Sequence, residues 1–203
     1  MLEEEYERRR QLPRHLRRPV APERPFAYRI RPAEDRDLPD IREIYNYYVT
    51  NSVVTFDEKK WTIKQWRDKF AYLAKLNMPF LVAESAGGQI LGYALVQPWS
   101  GKSGYRYTVE DSIYLGHAAS GKGLGQALLE ALIAASEEVG IRQIVAVISD
   151  KGAEASVRVH EKFGFVESGR MGRVGFKFGR WLGTIYMQKS LKPRKQKRAL
   201  LGR

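Results

Sequence analysis

The sequence contains no cysteine, which excludes disulfides, thiolate-ligated zinc, iron–sulfur clusters and an acyl-cysteine intermediate. Histidine is almost as scarce: His15, His117 and His160 are too few and too scattered to suggest a metal cluster, so no metal is expected. No apolar run approaches the roughly 20 residues that a membrane-spanning helix needs. A soluble protein without a membrane partner is therefore expected. The first 26 residues lack the apolar stretch of a secretory signal, and their five Glu are unlike a transit peptide, which avoids acids; a cytoplasmic location is the expectation. There is no internal repeat.

What is present is a 203-residue chain, long enough for one domain with a substantial core and too short for two comfortable ones. Its formal net charge of +12 resembles a nucleic-acid signal until it is mapped. Residues 189–203 alone carry +7, and residues 27–188 only +3. The basic tail has no interleaved aromatic residues for base stacking, so nucleic acid is not the expected partner. The expected organisation is an N-terminal extension over 1–26 with a possible helix at Glu3 to Gln11, a folded domain over 27–191, and a basic tail over 192–203.

The most informative segment is Gly121-Lys122-Gly123-Leu124-Gly125, which follows a strand-like run and opens an amphipathic helix. A helix start presents unpaired N–H groups and the positive end of the macrodipole, and glycines let the backbone approach phosphate oxygens closely. The segment reads as a pyrophosphate cradle, with an ordinary strand-to-helix turn as the alternative. Behind it, Leu124, Leu128, Ala131, Leu132, Ala135 and Val139 predict one buried helix face, ending at Gly140.

Elsewhere the pattern predicts a strand at Ala27 to Arg31, a helix from about Asp37 to Val49 and another at Thr62 to Ala74. Strands at Pro79 to Ser85 and Ile90 to Gln97 are joined by Ala86-Gly87-Gly88-Gln89 as a hairpin. Further strands are expected at Tyr107 to Leu115, Arg142 to Ser149, Phe165 to Ser168 and Thr184 to Lys189, with a helix at Ala153 to Lys162. A meander followed by alternating strands and helices predicts an α/β (α+β) fold with a central mixed sheet and helices on both faces.

Over residues 27–191 the chain resembles the GNAT acetyltransferase superfamily, in its phosphinothricin acetyltransferase-like branch. The motifs that carry the resemblance are Ile44-Tyr45-Asn46, Thr55-Phe56-Asp57, Leu81-Val82-Ala83-Glu84, Thr108-Val109-Glu110-Asp111-Ser112-Ile113-Tyr114, the glycine loop, and Ser156 through Phe165. Val174-Gly175-Phe176-Lys177 and Arg180-Trp181 follow. The resemblance implies the GNAT fold, acetyl-CoA as cosubstrate, a primary amine as acceptor, direct attack in a ternary complex, and a homodimer. Absence of cysteine agrees with direct attack.

An ammonium group has no lone pair, so a base must take a proton, an oxyanion must be held, and the departing thiolate must be protonated. Glu110 matches the family's glutamate and is the candidate base; an outward-facing strand carboxylate beside Asp111 is the alternative. His160 stands where the branch carries a histidine near the coenzyme sulfur, as donor to the thiolate or acceptor from the amine. A helix histidine packed near Gly164-Phe165 is the alternative. The family's strand bulge implies that Ile113 and Leu115 pair with the pantetheine arm. Ser120, Gly121, Lys122, Gly123, Gly125 and Gln126, with Ser156, complete the coenzyme contacts. Phe56, Lys102, Tyr105 and Tyr107, with Trp99, match positions near the acceptor, which suits a small amino acid or analogue. Lys177, Arg180 and Trp181 complete that site or serve a dimer contact, and His117 reads as a surface residue.

Several positions depart from the family. Ser120 replaces the usual Arg or Gln, Glu154 a customary asparagine, and Gly183 the usual aspartate, while Ile148 to Ser156 runs one residue longer. Lys102 stands for an arginine, which loses a bidentate grip on a phosphinate and makes phosphinothricin a poor candidate acceptor. Two other functions remain open at this point: a protein or peptide acetyltransferase docking through the tail, and a non-catalytic acyl-CoA-binding module.

Overall fold

The computed structural model describes residues 26–192. The expected helix near the N-terminus and the basic tail lie outside these, apart from residue 192. In chain order the elements are β1 (Tyr28–Pro32), α1 (Leu38–Asn51), α2 (Ile63–Lys75), β2 (Phe80–Ser85), β3 (Ile90–Pro98), β4 (Thr108–Leu115), α3 (Leu124–Glu138), β5 (Gln143–Ser149), α4 (Glu154–Lys162), β6 (Val166–Lys177) and β7 (Arg180–Ser190). The strands form one sheet of order β1-β2-β3-β4-β5-β7-β6. Only β4 and β5 run parallel, so the sheet is mixed, as expected.

Alternation along the strands assigns the two faces. Phe80, Val82, Tyr93 and Leu95 turn toward Leu38 and Ile41 of α1 and Trp66 and Leu73 of α2. Leu81, Ala83, Ala94 and Val96 turn the other way, toward Leu124, Leu128, Leu129 and Leu132 of α3. Helix α2 begins at a reciprocal capping box, Thr62 with Gln65, that satisfies two otherwise orphaned N–H groups. Helix α3 ends before Gly140, which has positive φ. Val139 lies past the last turn of α3 and is exposed, whereas Ser136 joins the buried face.

The sheet consists of two antiparallel halves. Strands β3 and β4 stay in register from Pro98↔Val109 to Gly92↔Leu115, and β5 and β7 from Gln143↔Ser190 to Ser149↔Thr184. Between the halves, β4 and β5 share only Thr108↔Gln143, Val109↔Ile144 and Glu110↔Val145. Beyond Glu110 the two strands part. The expected parting is present, but not through a bulge between β3 and β4, whose register is unbroken. Each strand follows its antiparallel partner, and the parallel ladder simply stops.

The last two strands are far longer than the pattern predicted. In β6, Glu167 through Gly175 is polar and glycine-rich and most of it is exposed, so no apolar alternation marks it. Pairing with β7 holds it, with register shifts at Glu167/Gly169 and Met171/Gly175. A Cβ at Gly175 would collide with the Phe56 ring, so the absence of one there lets the hairpin press against the α1–α2 loop.

Candidate active site

The parting of β4 and β5 opens a cavity of about 320 Å³ lined by Glu110 through Leu115 on one side and Ala146 through Ser149 on the other. Ser156 and His160 of α4 and Tyr48 of α1 close it. The amide of Gly116 donates to Leu91 O (2.8 Å) and Thr108 O accepts from the Trp99 amide (3.2 Å), so even-numbered residues of β4 turn their peptide groups to β3. The peptide groups of Asp111, Ile113 and Leu115 therefore face the gap. Tyr48 Oη already donates to Leu115 O at 2.8 Å.

At one end of the gap lies the glycine loop. Gly121 (φ +76°) and Gly123 (φ +77°) adopt left-handed backbone with nothing within 4 Å of a would-be Cβ, so conformation, not crowding, requires glycine there. The amides of Gly121, Lys122 and Gly123 have no acceptor among the described residues. They sit at the N-terminus of a 15-residue helix, the physical arrangement that binds a diphosphate. These free donors and the strand-width gap fit a coenzyme A thioester. Lys122 itself leans over the Phe26 ring, its Nζ 4.6 Å from the centroid, and Gln126 Oε1 accepts from Lys162 Nζ. Ser120 and His117 are exposed.

Glu110 is half-buried where β4 and β5 part. Burial raises its pKa, the adjacent Asp111 raises it further, and Lys69 and a hydrogen bond with Gln97 oppose the shift without cancelling it. No cation lies within ion-pair distance of it among the described residues. A carboxylate so placed is a stronger base than an ordinary surface glutamate.

His160 is buried and packed edge-on against Phe165, with ring centroids 4.9 Å apart. Its Nδ1 lies 2.8 Å from Ser156 O, and a carbonyl only accepts, so Nδ1 carries hydrogen. Its Nε2 lies 2.9 Å from Asp111 Oδ2. Burial lowers the pKa of the ring, but the hydrogen bond and charge of Asp111, with Ser156 O, outweigh it and leave the value raised. The raised value favours the protonated ring, and Asp111 Oδ1 is buried with no partner among the described residues. His160 thus packs on Phe165, as the structural alternative expected, and it also lines the gap.

The expected acceptor residues do not converge. Phe56 is half-buried against Gly175, whereas Lys102, Tyr105 and Tyr107 are exposed on the β3–β4 connection. Tyr105 and Trp99 border a separate surface hollow with Thr108 and Tyr186. Lys177 is buried, and its Nζ donates to Ser52 O and Thr55 O at 2.8 Å each, clamping the β6–β7 hairpin to the α1–α2 loop. It is structural in this chain, while Trp181 is 53% exposed. Gly183 donates its amide to Asp150 Oδ1 (2.9 Å), and a Cβ at 183 would meet Asp150 Oδ2 at 2.7 Å. A carboxylate from position 150 thus fills the space into which a side chain at 183 would project. Glu154 Oε1 accepts from the Gly152 amide in the lengthened loop. Sequence reasoning named Asp111 only as a neighbour of Glu110; a strand's two-residue period, applied to that adjacent pair, is the signal that turns it toward α4.

Comparison with known proteins agrees with this geometry. Residues 30–185 match the model of the acetyltransferase (GNAT) domain. The chain belongs to the GNAT acetyltransferase family. It is 42% identical over 164 residues to an L-methionine sulfoximine/L-methionine sulfone acetyltransferase of Pseudomonas paraeruginosa, covering 81% of this chain and 95% of that one. It is 40% identical over 162 residues to a phosphinothricin N-acetyltransferase of Alcaligenes faecalis, covering 80% and 82%. Among solved structures, a GNAT superfamily phosphinothricin acetyltransferase from Sinorhizobium meliloti in complex with acetyl-CoA superposes with a TM-score of 0.78 at 38% identity, covering 83% of this chain and 94% of that one.

Proposed function

We propose that this enzyme transfers the acetyl group of acetyl-CoA to the α-amine of a small amino acid or amino-acid analogue by direct attack. The observation that carries the reading is Glu110, a half-buried carboxylate with a raised pKa and no ion-pair partner, at the mouth of a gap whose other end is a diphosphate cradle. The named substrates of the relatives, methionine sulfoximine, methionine sulfone and phosphinothricin, support the acceptor class.

The amides of Gly121, Lys122 and Gly123, with Gly125, hold the diphosphate, and the peptide groups of Ile113 and Leu115 hold the pantetheine arm as a strand would. Ser120, Gln126 and Ser156 border that path. Bound there, acetyl-CoA supplies an acyl carbon already activated as a thioester. Glu110 accepts the proton that the acceptor's ammonium must lose. A β4 amide facing the gap, such as that of Asp111, stabilises negative charge developing on the acyl oxygen. His160 gives a proton to the departing thiolate, and the second proton that the acceptor's nitrogen sheds as the tetrahedral intermediate collapses restores it to the His160–Asp111 pair. The exposed Met171, Val174, Phe176, Phe178 and Trp181 on the β6–β7 hairpin support a homodimer in which a second copy covers them. We place the enzyme in the cytoplasm.

The test is a thiol-release assay with methionine sulfone, methionine sulfoximine, phosphinothricin, polyamines and basic peptides side by side. Turnover of the first two is expected, with phosphinothricin slower. Turnover of peptides alone would overturn the reading.

A further inference from the structure

Lys69 of α2 faces the same side of the sheet as Glu110, and no function described so far uses it. Among the described residues it has neither an ion-pair partner nor a hydrogen-bond acceptor. Its Nζ lies 5.3 Å from the Trp61 ring centroid and 5.7 Å from that of Trp66. With Trp61, Gln65, Tyr72 and Gln97 it lines a cleft of about 360 Å³. Gln97 is the cross-strand partner of Glu110, so both side chains stand on the same face and the cleft and the base share a wall. Burial lowers the pKa of Lys69, and the charges of Glu110 and then Asp57 work against that shift.

We infer that Lys69 is a specificity-determining residue that binds the α-carboxylate of the acceptor while Glu110 takes a proton from its α-ammonium. The inference rests on the amino-acid reading above. A zwitterionic α-amino acid carries opposite charges on substituents of one carbon, and it needs a cation and an anion facing it from close together. On the Glu110 side of the sheet the acids near the base are Glu110 and Asp57, whereas Asp111 faces the other side and is paired with His160. An acceptor carboxylate is repelled there unless a cation meets it, and Lys102, the sequence-level candidate, borders neither the gap nor the cleft. Lys69 stands on the same side of the sheet as Glu110, in the cleft that Gln97 joins to it. The two tryptophan faces hold its ammonium by cation–π attraction without capping its three N–H donors. An unpaired lysine so placed is ready for a carboxylate, and polyamines, which bring only positive charge, are disfavoured by it.

The experiment compares kcat and KM for methionine sulfone and its uncharged α-carboxamide in the wild-type enzyme, Lys69→Met and Lys69→Arg. In Lys69→Met the wild-type preference for the acid over the amide should fall about 10- to 100-fold, the loss carried mainly by KM for the acid. Lys69→Arg should restore most of that preference. An equal fall for both substrates, or none for either, overturns the assignment, because a lysine that only packs against tryptophans does not distinguish them. A wild-type enzyme that acetylates no α-amino acid would instead remove the reading on which the assignment stands.

Discussion

Glu110 and Asp111 are adjacent carboxylates on one strand, and the sheet gives them opposite lives. Glu110 faces the side covered by α1 and α2, half-buried and without an ion-pair partner, so its proton is free to come and go. Asp111 faces the side covered by α3 and α4, buried on His160 Nε2 at 2.9 Å. One position of displacement along a strand separates a carboxylate suited to accept a proton itself from one suited to position a proton on a neighbouring ring. The lesson is that neighbouring charges are distinguished by the layer into which each points, not by their spacing in sequence.

Substitutions can break this contrast from either side. Glu110→Gln should lower turnover by about 10²- to 10⁴-fold while coenzyme affinity, measured by calorimetry, is kept. Full turnover in that variant would erase the distinction. In the wild-type enzyme the acid limb of kcat/KM should lie above the ordinary carboxylate range, since protonating a base of raised pKa stops the reaction at a higher pH. Asp111→Asn should cost about 3 kcal/mol in urea denaturation, because it removes one partner of a buried pair. The folded ring binds its proton more tightly than the unfolded one, so the pair contributes fully below the unfolded histidine value of about 6.5 and loses its contribution as pH rises through the raised folded value. The stability gap between wild type and Asp111→Asn should narrow accordingly toward alkaline pH.

Two smaller effects sharpen the comparison by sparing both carboxylates. Gly123→Ala forces a side chain into left-handed backbone at about 1 kcal/mol, and should weaken coenzyme binding while leaving the pH of the acid limb where it was. Thr62→Ala removes the α2 capping box on the Glu110 side and should cost about 1 kcal/mol of stability by thermal denaturation with coenzyme affinity unchanged.

The sequence shows most clearly those features that local rules govern. The glycine loop, the helix it opens and the meander were legible, because turn chemistry and apolar periodicity act over a few residues; Glu110 was named through the family resemblance instead. The length of β6 was not. Gly169, Gly172 and Gly175 with Arg170 and Arg173 read as loop, and only the pairing to β7, with Phe56 pressed on Gly175, makes a strand of them. Lys177 illustrates the opposite error. Its place in a family motif suggested a site residue or a dimer contact, yet its two acceptors, Ser52 O and Thr55 O, lie more than a hundred residues away, and no local pattern announces carbonyl groups left waiting for a donor. The family's bulge was likewise the wrong cause for a correctly expected opening, since a ladder that stops leaves no mark in the spacing of either strand.

The short β4–β5 ladder carries one more consequence. Where recognition is made by main-chain groups in the gap, the letters of the sequence at Ile113 and Leu115 matter only through the extended conformation they sustain. Exchanging them for valine should scarcely alter the grip on pantetheine, whereas a proline at either position would delete a contact that no change of side chain could replace. In the proposed binding mode the coenzyme is read by a part of the polypeptide that every amino acid except proline shares.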